Sequence, residues 1–361
     1  MNNIRTAFIT FFPIKPDAMG SSAVVNSRFV NWPYKKRIFQ ISHVKRINNK
    51  LIETIFINKE NPLKKIMKLP EVIFKVNRYL KKSKRKVIII EGASWIFYSF
   101  IILFFFKIFL SKKKIIYISH SIESEIRKKF SNIFIYRLTK FLENLVFKYA
   151  DISTSVSTKE QRKIKLYYNT KTILLPNGIT IGGFNKNKKI NLDYLIYTGS
   201  YFYKPNKDAI DYLNNFIMPK LIIRYPNLKL VLTGGGFDSK KYPWIINKGI
   251  VSKSNLYNLL FFSKGLCVPL KFGSGTRIKI LEALCLGSIV ISSKKGIEGI
   301  ELKSINPPFI IKNKSKYISK IFEILKNNRK IKNYSIRNKK YYLERYSMIR
   351  IVEKFINENR I

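Results

Sequence analysis

Short, nearly continuous apolar runs recur through the first half of the chain, at 5–12, 37–42, 53–57, 86–90, 115–119, 152–156 and 172–175, with longer helical or polar stretches between them. Runs that lack polar alternation are what strands become when helices cover both faces of a sheet, and these intervals are long enough for crossover helices. The rhythm predicts an α/β domain with a doubly wound parallel sheet. It restarts after residue 192, with runs at 194–198, 228–233, 249–251, 265–269 and 289–292. The stretch GGFNKNKKI between the two series is polar and aperiodic, which marks a linker.

A chain of 361 residues accommodates two domains, each with its own core. The expected division is an N-terminal domain over 1–180, a C-terminal domain over 181–340, and a terminal helix over 341–361 that packs back on the N-terminal domain. Ile318, Ile321, Phe322 and Leu325 follow helical spacing, as do Met348, Ile351, Val352, Phe355 and Ile356, so two amphipathic helices are expected there. The Lys/Asn cluster at 326–332 reads as a solvated linker.

Lys plus Arg number 69 against 21 Asp plus Glu, a net charge of +48. Such a surplus points to nucleic acid, an anionic membrane or a polyanionic substrate. Joint over-use of Lys, Ile, Asn, Tyr and Phe points equally to an AT-rich genome that loads solvated faces with lysine. The 46% hydrophobic content excludes intrinsic disorder. No nucleic-acid-binding motif accompanies the charge, so no nucleic-acid partner is expected.

Two cysteines, Cys267 and Cys285, and two histidines, His43 and His120, are too few and too scattered for a disulfide framework or a metal cluster. No metal and no bound cofactor are expected; chemistry must rest on carboxylates, cations and backbone dipoles. The N-terminal apolar run lacks a small-residue cleavage site and reads as a first strand, which predicts a cytoplasmic protein. WIFYSFIILFFFKIFL, residues 95–110, has 16 residues with Lys107 inside, short of the ~20 needed to span a bilayer. A buried or interfacial helix is expected there.

The most informative stretch is VPLKFGSGTRIKILEALCLG, residues 268–287, where a strand ends in a Gly-rich turn and a helix begins. Gly273 and Gly275 permit a tight turn with exposed amides, and Thr276 is the expected N-cap. Arg277 and Lys279 put two cations at the positive end of a helix, which is unfavourable unless an anion sits there. Glu282, one turn on, has two readings: an acceptor for hydroxyls such as those of a ribose, or an ordinary i, i+3 surface partner of Lys279.

The run GSGTRIKILEALCLGSIVISSKKGIEGIEL resembles the nucleotide-sugar signature of the group 1 (family four) retaining glycosyltransferases. The resemblance implies the GT-B fold, two Rossmann-like domains with parallel sheets facing across a cleft. Supporting likenesses run in order along nearly the whole chain: SHSIESE around His120, Asp151 in YADISTSVS, Asn177 and Gly178 in LLPNGI, and YTGSYFYKPNKDAIDYL, residues 197–213. There are departures. The family's paired-glutamate pattern places its first acid at Ser274, leaving Glu282 alone, and the basic pair after the first C-terminal strand is reduced to Lys204. The resemblance then gives Arg277 and Lys279 the diphosphate, Glu282 the ribose, and His120 a catalytic place.

Donor-binding candidates are Gly20 and Ser21 after the first strand, Gly199 and Lys204 in the 197–213 segment, Gly234 and Gly235 in TGGG, and Ser274, Gly275 and Thr276 in the Gly-rich turn. A plain βα turn explains Gly20, Ser21 and Ser22 equally well. Glu298 in GIEG is a weaker candidate, and His43 reads as structural. The resemblance implies transfer of a sugar from a nucleotide diphosphate sugar to a glycan or lipid-linked acceptor, in cell-surface polysaccharide or glycolipid assembly, at the inner face of a membrane. The alternatives are a nucleotide-sugar epimerase of the same fold and a basic nucleic-acid-binding protein.

Overall fold

The computed structural model describes residues 4–14, 20–44, 49–109, 113–183, 192–238, 242–273, 275–302, 308–311, 313 and 315–361. The chain divides into two compact units: residues 1–177 with 351–361, and residues 178–350. The expected linker falls largely on 184–191, outside the described residues.

In the first unit the chain runs β1 (Ile4–Thr10), α1 (Ser21–Asn31), β2 (Lys35–Ser42), β3 (Ile52–Phe56), α2 (Pro62–Met67), α3 (Leu69–Leu80), β4 (Arg85–Gly92), α4 (Ile96–Phe109), β5 (Lys114–Ser119), α5 (Glu123–Phe130), α6 (Ile133–Tyr149), β6 (Ile152–Ser155), α7 (Thr158–Tyr168) and β7 (Ile173–Leu174). The strands pair in parallel in the order β3-β2-β1-β4-β5-β6-β7. The continuous apolar runs are the reason: β4 buries Val87 through Ile90 and β5 buries Ile115 through Ile118, so neither face can meet water. The strand order reverses between β1 and β4, which opens a crevice at the carboxyl ends of those strands, where doubly wound sheets bind ligands.

α4 has no clean polar face. Ile96, Ile102, Leu103 and Phe106 are buried, while Phe104, Ile108 and Phe109 remain 49%, 55% and 64% exposed. No described helix is long and apolar enough to cross a membrane.

The second unit runs β8 (Tyr194–Thr198), α8 (Lys204–Tyr212), a π-helical turn (Leu213–Ile217), α9 (Met218–Arg224), β9 (Lys229–Thr233), β10 (Ile245–Asn247), α10 (Lys253–Phe262), β11 (Gly265–Val268), α11 (Ile278–Leu286), β12 (Val290–Ser293), β13 (Phe309–Ile311), α12 (Ser315–Lys326) and α13 (Asn328–Tyr346). α14 (Met348–Glu358) carries the chain into the first unit. The sheet order β10-β9-β8-β11-β12-β13 again reverses beside the first strand, between β8 and β11.

Two expectations are corrected and one strand is added. The strand expected at 249–251 lies at Ile245–Asn247, because that segment pairs with β9 and Gly249 instead turns at φ 58°. Phe309–Ile311 adds a strand that the sequence reading missed. Residues 328–332 open α13 rather than forming a solvated linker: Ile331 is buried, and the Lys332 ammonium donates to the Phe261 carbonyl over that residue's ring.

Candidate functional site

In the second unit the geometry is built on glycines. Gly199 (φ 137°) leaves β8 and Gly234 (φ 113°) leaves β9, and a Cβ on Gly234 would stand 2.5 Å from the Gly199 carbonyl carbon and oxygen. Only glycine lets these two turns touch. Their backbones are then tied, Gly199 N–H donating to the Thr233 carbonyl (2.8 Å) and Tyr201 N–H to that of Gly235 (2.9 Å).

From the neighbouring strand β11 the chain turns through Gly273 (φ 118°) and Gly275 (φ 76°) into α11; Ser274 lies outside the described residues. The helix starts later than expected. Its N-cap is Arg277, extended at φ −84° and ψ 93°, with no side-chain cap, so Thr276 falls one residue short of the capping position and its hydroxyl faces Gly299 instead. The Arg277 guanidinium folds back to donate to the Gly275 carbonyl (2.5 Å).

Lys279 turns inward toward β8. Its Nζ donates to Asn206 Oδ1 (3.1 Å) and sits 4.0 Å from the centre of the Tyr197 ring. Asn206 is itself fixed, accepting from the Tyr197 hydroxyl (2.8 Å) and donating to the Ser200 carbonyl (2.9 Å). A Cβ on Gly199 would lie 2.9 Å from the Lys279 Nζ, so the ammonium rests against the bare backbone of the β8 turn. Burial, with the charge of Arg277 adding to it, pushes the Lys279 pKa down to about 7. Among the described residues it has no carboxylate within ion-pair distance.

Glu282 is buried and paired with Lys253, the first residue of α10. Burial raises its pKa, with Lys253 opposing. The i, i+3 surface pair with Lys279 is thereby overturned: one partner has turned toward Tyr197 and the other toward α10. Lys204 is exposed at the start of α8, outside the Lys279–Asn206 cluster. Gly235 continues the β9 turn. Glu298 pairs with Lys295 (2.5 Å).

In the first unit a different group sits at the switch point. Glu91, near the end of β4, is fully buried; both its oxygens accept from Arg28 Nη1 of α1 (2.6 and 2.7 Å), and Oε2 also bonds His120 Nε2 (2.7 Å) after β5. Burial alone would raise the Glu91 pKa, but Arg28 and His120 outweigh it and hold the carboxyl below its ordinary value. It is therefore an anion, and His120 presents Nε2–H to it, which leaves Nδ1 for other partners. Gly20 (φ 66°) caps α1 and Ser21 is its first residue, without a side-chain cap bond. His43 is exposed and bonded to Glu60 (2.8 Å).

The sequence reading passed over Glu91, Arg28 and Lys253, and held Asn206 only as part of the 197–213 segment. Glu91 had a signal, a lone acid closing the run VIII, since an acid ending a buried strand needs a partner. Arg28 and Lys253 are paired only by folding and carry none.

Residues 193–327, which span the Gly199, Asn206, Gly234, Arg277, Lys279 and Glu282 cluster, match the family described as Glycosyl transferases group 1. The match covers 135 of the 361 residues and lies within the second unit. No curated protein matches the chain in sequence. Among solved structures, sucrose-phosphate synthase from Thermosynechococcus elongatus superposes with a TM-score of 0.71 at 14% identity, covering 98% of each chain. HepE from Anabaena, solved with UDP and glucose, gives 0.70 at 13% identity over 98% of this chain and 99% of that one. A putative UDP-N-acetylglucosamine 2-epimerase from Listeria monocytogenes gives 0.57 at 12% identity, covering 99% and 95%. At these identities the likeness establishes the fold, which is GT-B.

Proposed function

We propose that this chain is a retaining glycosyltransferase of the family-four kind, moving a sugar from a nucleotide diphosphate sugar to an acceptor hydroxyl. The observation that carries the reading is the Lys279 ammonium, held at the start of α11 on neutral partners beside the bare Gly199 turn. A half-buried cation without an anion is costly, and a diphosphate supplies the missing charge where the α11 amides also point.

In the proposed reaction the bond from the anomeric carbon to the diphosphate oxygen breaks, and the sugar passes through an oxocarbenium-like state. Lys279, Arg277 and the first amides of α11 take the charge of the leaving diphosphate. The acceptor oxygen bonds the anomeric carbon on the face the diphosphate leaves, and its proton goes to the departing phosphate. Glu282 is assigned the ribose hydroxyls and His120 the transferring sugar, its ring set by Glu91. Gly20 and Ser21 are assigned a place beside donor or acceptor. The leaving-group charge is met by side chains and amides, so turnover is expected to survive EDTA.

HepE, of the same fold, was solved with UDP and glucose, so a UDP-sugar is the first donor to test. The acceptor is assigned to the glycan or lipid-linked class, in surface polysaccharide or glycolipid assembly, with the enzyme peripheral at the cytoplasmic face. The test incubates the purified chain with UDP-, GDP-, ADP- and CMP-sugars, measures binding and hydrolysis, and reads the anomeric configuration of the product by NMR. Binding of none of these donors overturns the reading; an inverted product overturns retention alone.

A further inference from the structure

At the other edge of the first unit's sheet, where strands begin, basic residues gather around β4 and β5. Lys84, Arg85 and Lys86 lead into β4, and Lys113 and Lys114 into β5. Because β4 and β5 are parallel neighbours with Val87 opposite Lys114, these two basic runs, distant in sequence, lie side by side. The chain's last residues bring a third segment: Lys114 Nζ donates to the Asn359 carbonyl (2.8 Å) and Tyr34 to that of Ile361 (2.6 Å), which places Arg360 beside them. The six cations line a cavity of about 590 Å³.

The one acidic side chain lining the cavity is already engaged. Asp151 accepts from the Ile115 amide (2.7 Å) and pairs with Lys107. Among the described residues none of the six cations has a carboxylate partner. Lys113 is half-buried, donating to Asn77 Oδ1 (3.2 Å) and lying 4.9 Å from the Phe106 ring centre, and burial together with Lys86 pushes its pKa down to about 8. Lys86, Lys113 and Lys114 are half-buried while Lys84, Arg85 and Arg360 are exposed, and the six gather from three segments around one concavity, at a cost in mutual repulsion that an anion would relieve.

We propose that this cavity binds a phosphate group. Its source is a soluble phosphorylated molecule or a phospholipid headgroup, and for the latter the exposed Ile108 and Phe109, on the same helix as Phe106, provide apolar surface. The inference does not rest on the sugar-transfer reading, since the site uses none of those residues.

The experiment compares Lys86→Gln/Lys113→Gln with a control, Lys140→Gln/Lys165→Gln, which removes two exposed lysines of the same unit. Both are made in a Lys279→Met background so that the α11 site does not compete, and thermal melting confirms folding. Probes are inorganic pyrophosphate by calorimetry, phosphatidylglycerol against phosphatidylcholine vesicles by flotation, and a duplex RNA. The cavity variant should weaken pyrophosphate or phosphatidylglycerol binding by about tenfold or more, the scale of one charge-assisted contact, with the control unchanged. Loss of pyrophosphate binding marks a soluble ligand; loss of vesicle binding alone marks a headgroup. The proposal is overturned if neither probe separates the cavity variant from the control, or if only RNA does.

Discussion

The switch points of the two sheets hold charge in opposite ways. In the first unit a buried carboxylate, Glu91, takes its hydrogen bonds from Arg28 Nη1 and His120, so the opposite charges meet within the fold, while Arg28 Nε and Nη2 stay buried without a partner among the described residues. In the second, the Lys279 ammonium rests on an amide oxygen and an aromatic face and has no carboxylate within ion-pair distance among the described residues. A closed group holds a fold together, whereas an open one is completed only by a ligand. Removing a charge should therefore damage folding in the first unit and binding in the second.

The strongest test of this contrast is Glu91→Gln. It leaves the Arg28 guanidinium buried without a counter-ion and should cost about 3–5 kcal/mol of stability by denaturant unfolding. A loss confined to activity, with stability intact, would break the comparison. Gly234→Ala comes next: a side chain at φ 113°, 2.5 Å from the Gly199 backbone, should cost about 2–3 kcal/mol and weaken donor binding at once, because it separates the two turns.

Lys279→Met should give the complementary result, with donor affinity down roughly ten- to a hundredfold and a melting temperature unchanged or raised, since a half-buried cation is removed. The pH dependence sharpens this further. With the free-site pKa near 7, Lys279 is charged below that value and loses its proton above it. Donor affinity should be flat below pH 7 and fall by up to about tenfold per unit above it, and this slope should vanish in Lys279→Met. The smallest effect is expected for Thr276→Ala. Arg277 occupies the capping position and α11 has no side-chain cap, so the change in stability should stay within about 0.5 kcal/mol rather than the ~1 kcal/mol of a lost cap.

Burial decides what the sequence could reveal here. Strands covered on both faces leave an unbroken apolar signature, so β1, β4, β5 and β8 could be read within a residue or two of where they lie. β13 is only Phe309–Ile311, too short for a period, and β10 was displaced because Gly249 and Val251 look strand-like without neighbours to pair. The Gly-rich turn and its cations were legible because they are contiguous. Arg28 with Glu91, and Lys253 with Glu282, are not: each pair joins residues from separate elements, and a buried ion pair looks like two surface charges until the chain closes. The same limit left the Lys279–Glu282 surface pair open as an alternative, since helical spacing says which residues are near and not what else competes for them.

The path of the backbone also sets an order of events. Residues 178–350 are inserted into the first unit, whose final segment is 351–361. That segment is part of its core: Phe355 and Ile356 are buried, the Phe355 ring lies 6.5 Å from that of Trp32, and Tyr34 donates to the Ile361 carbonyl. On the ribosome, the unit that begins first is thus finished last, only after the whole inserted unit has been synthesised. Until then Trp32 and its neighbours lack their cover, and a nascent chain halted at residue 350 has a second unit with all its residues and a first unit still open.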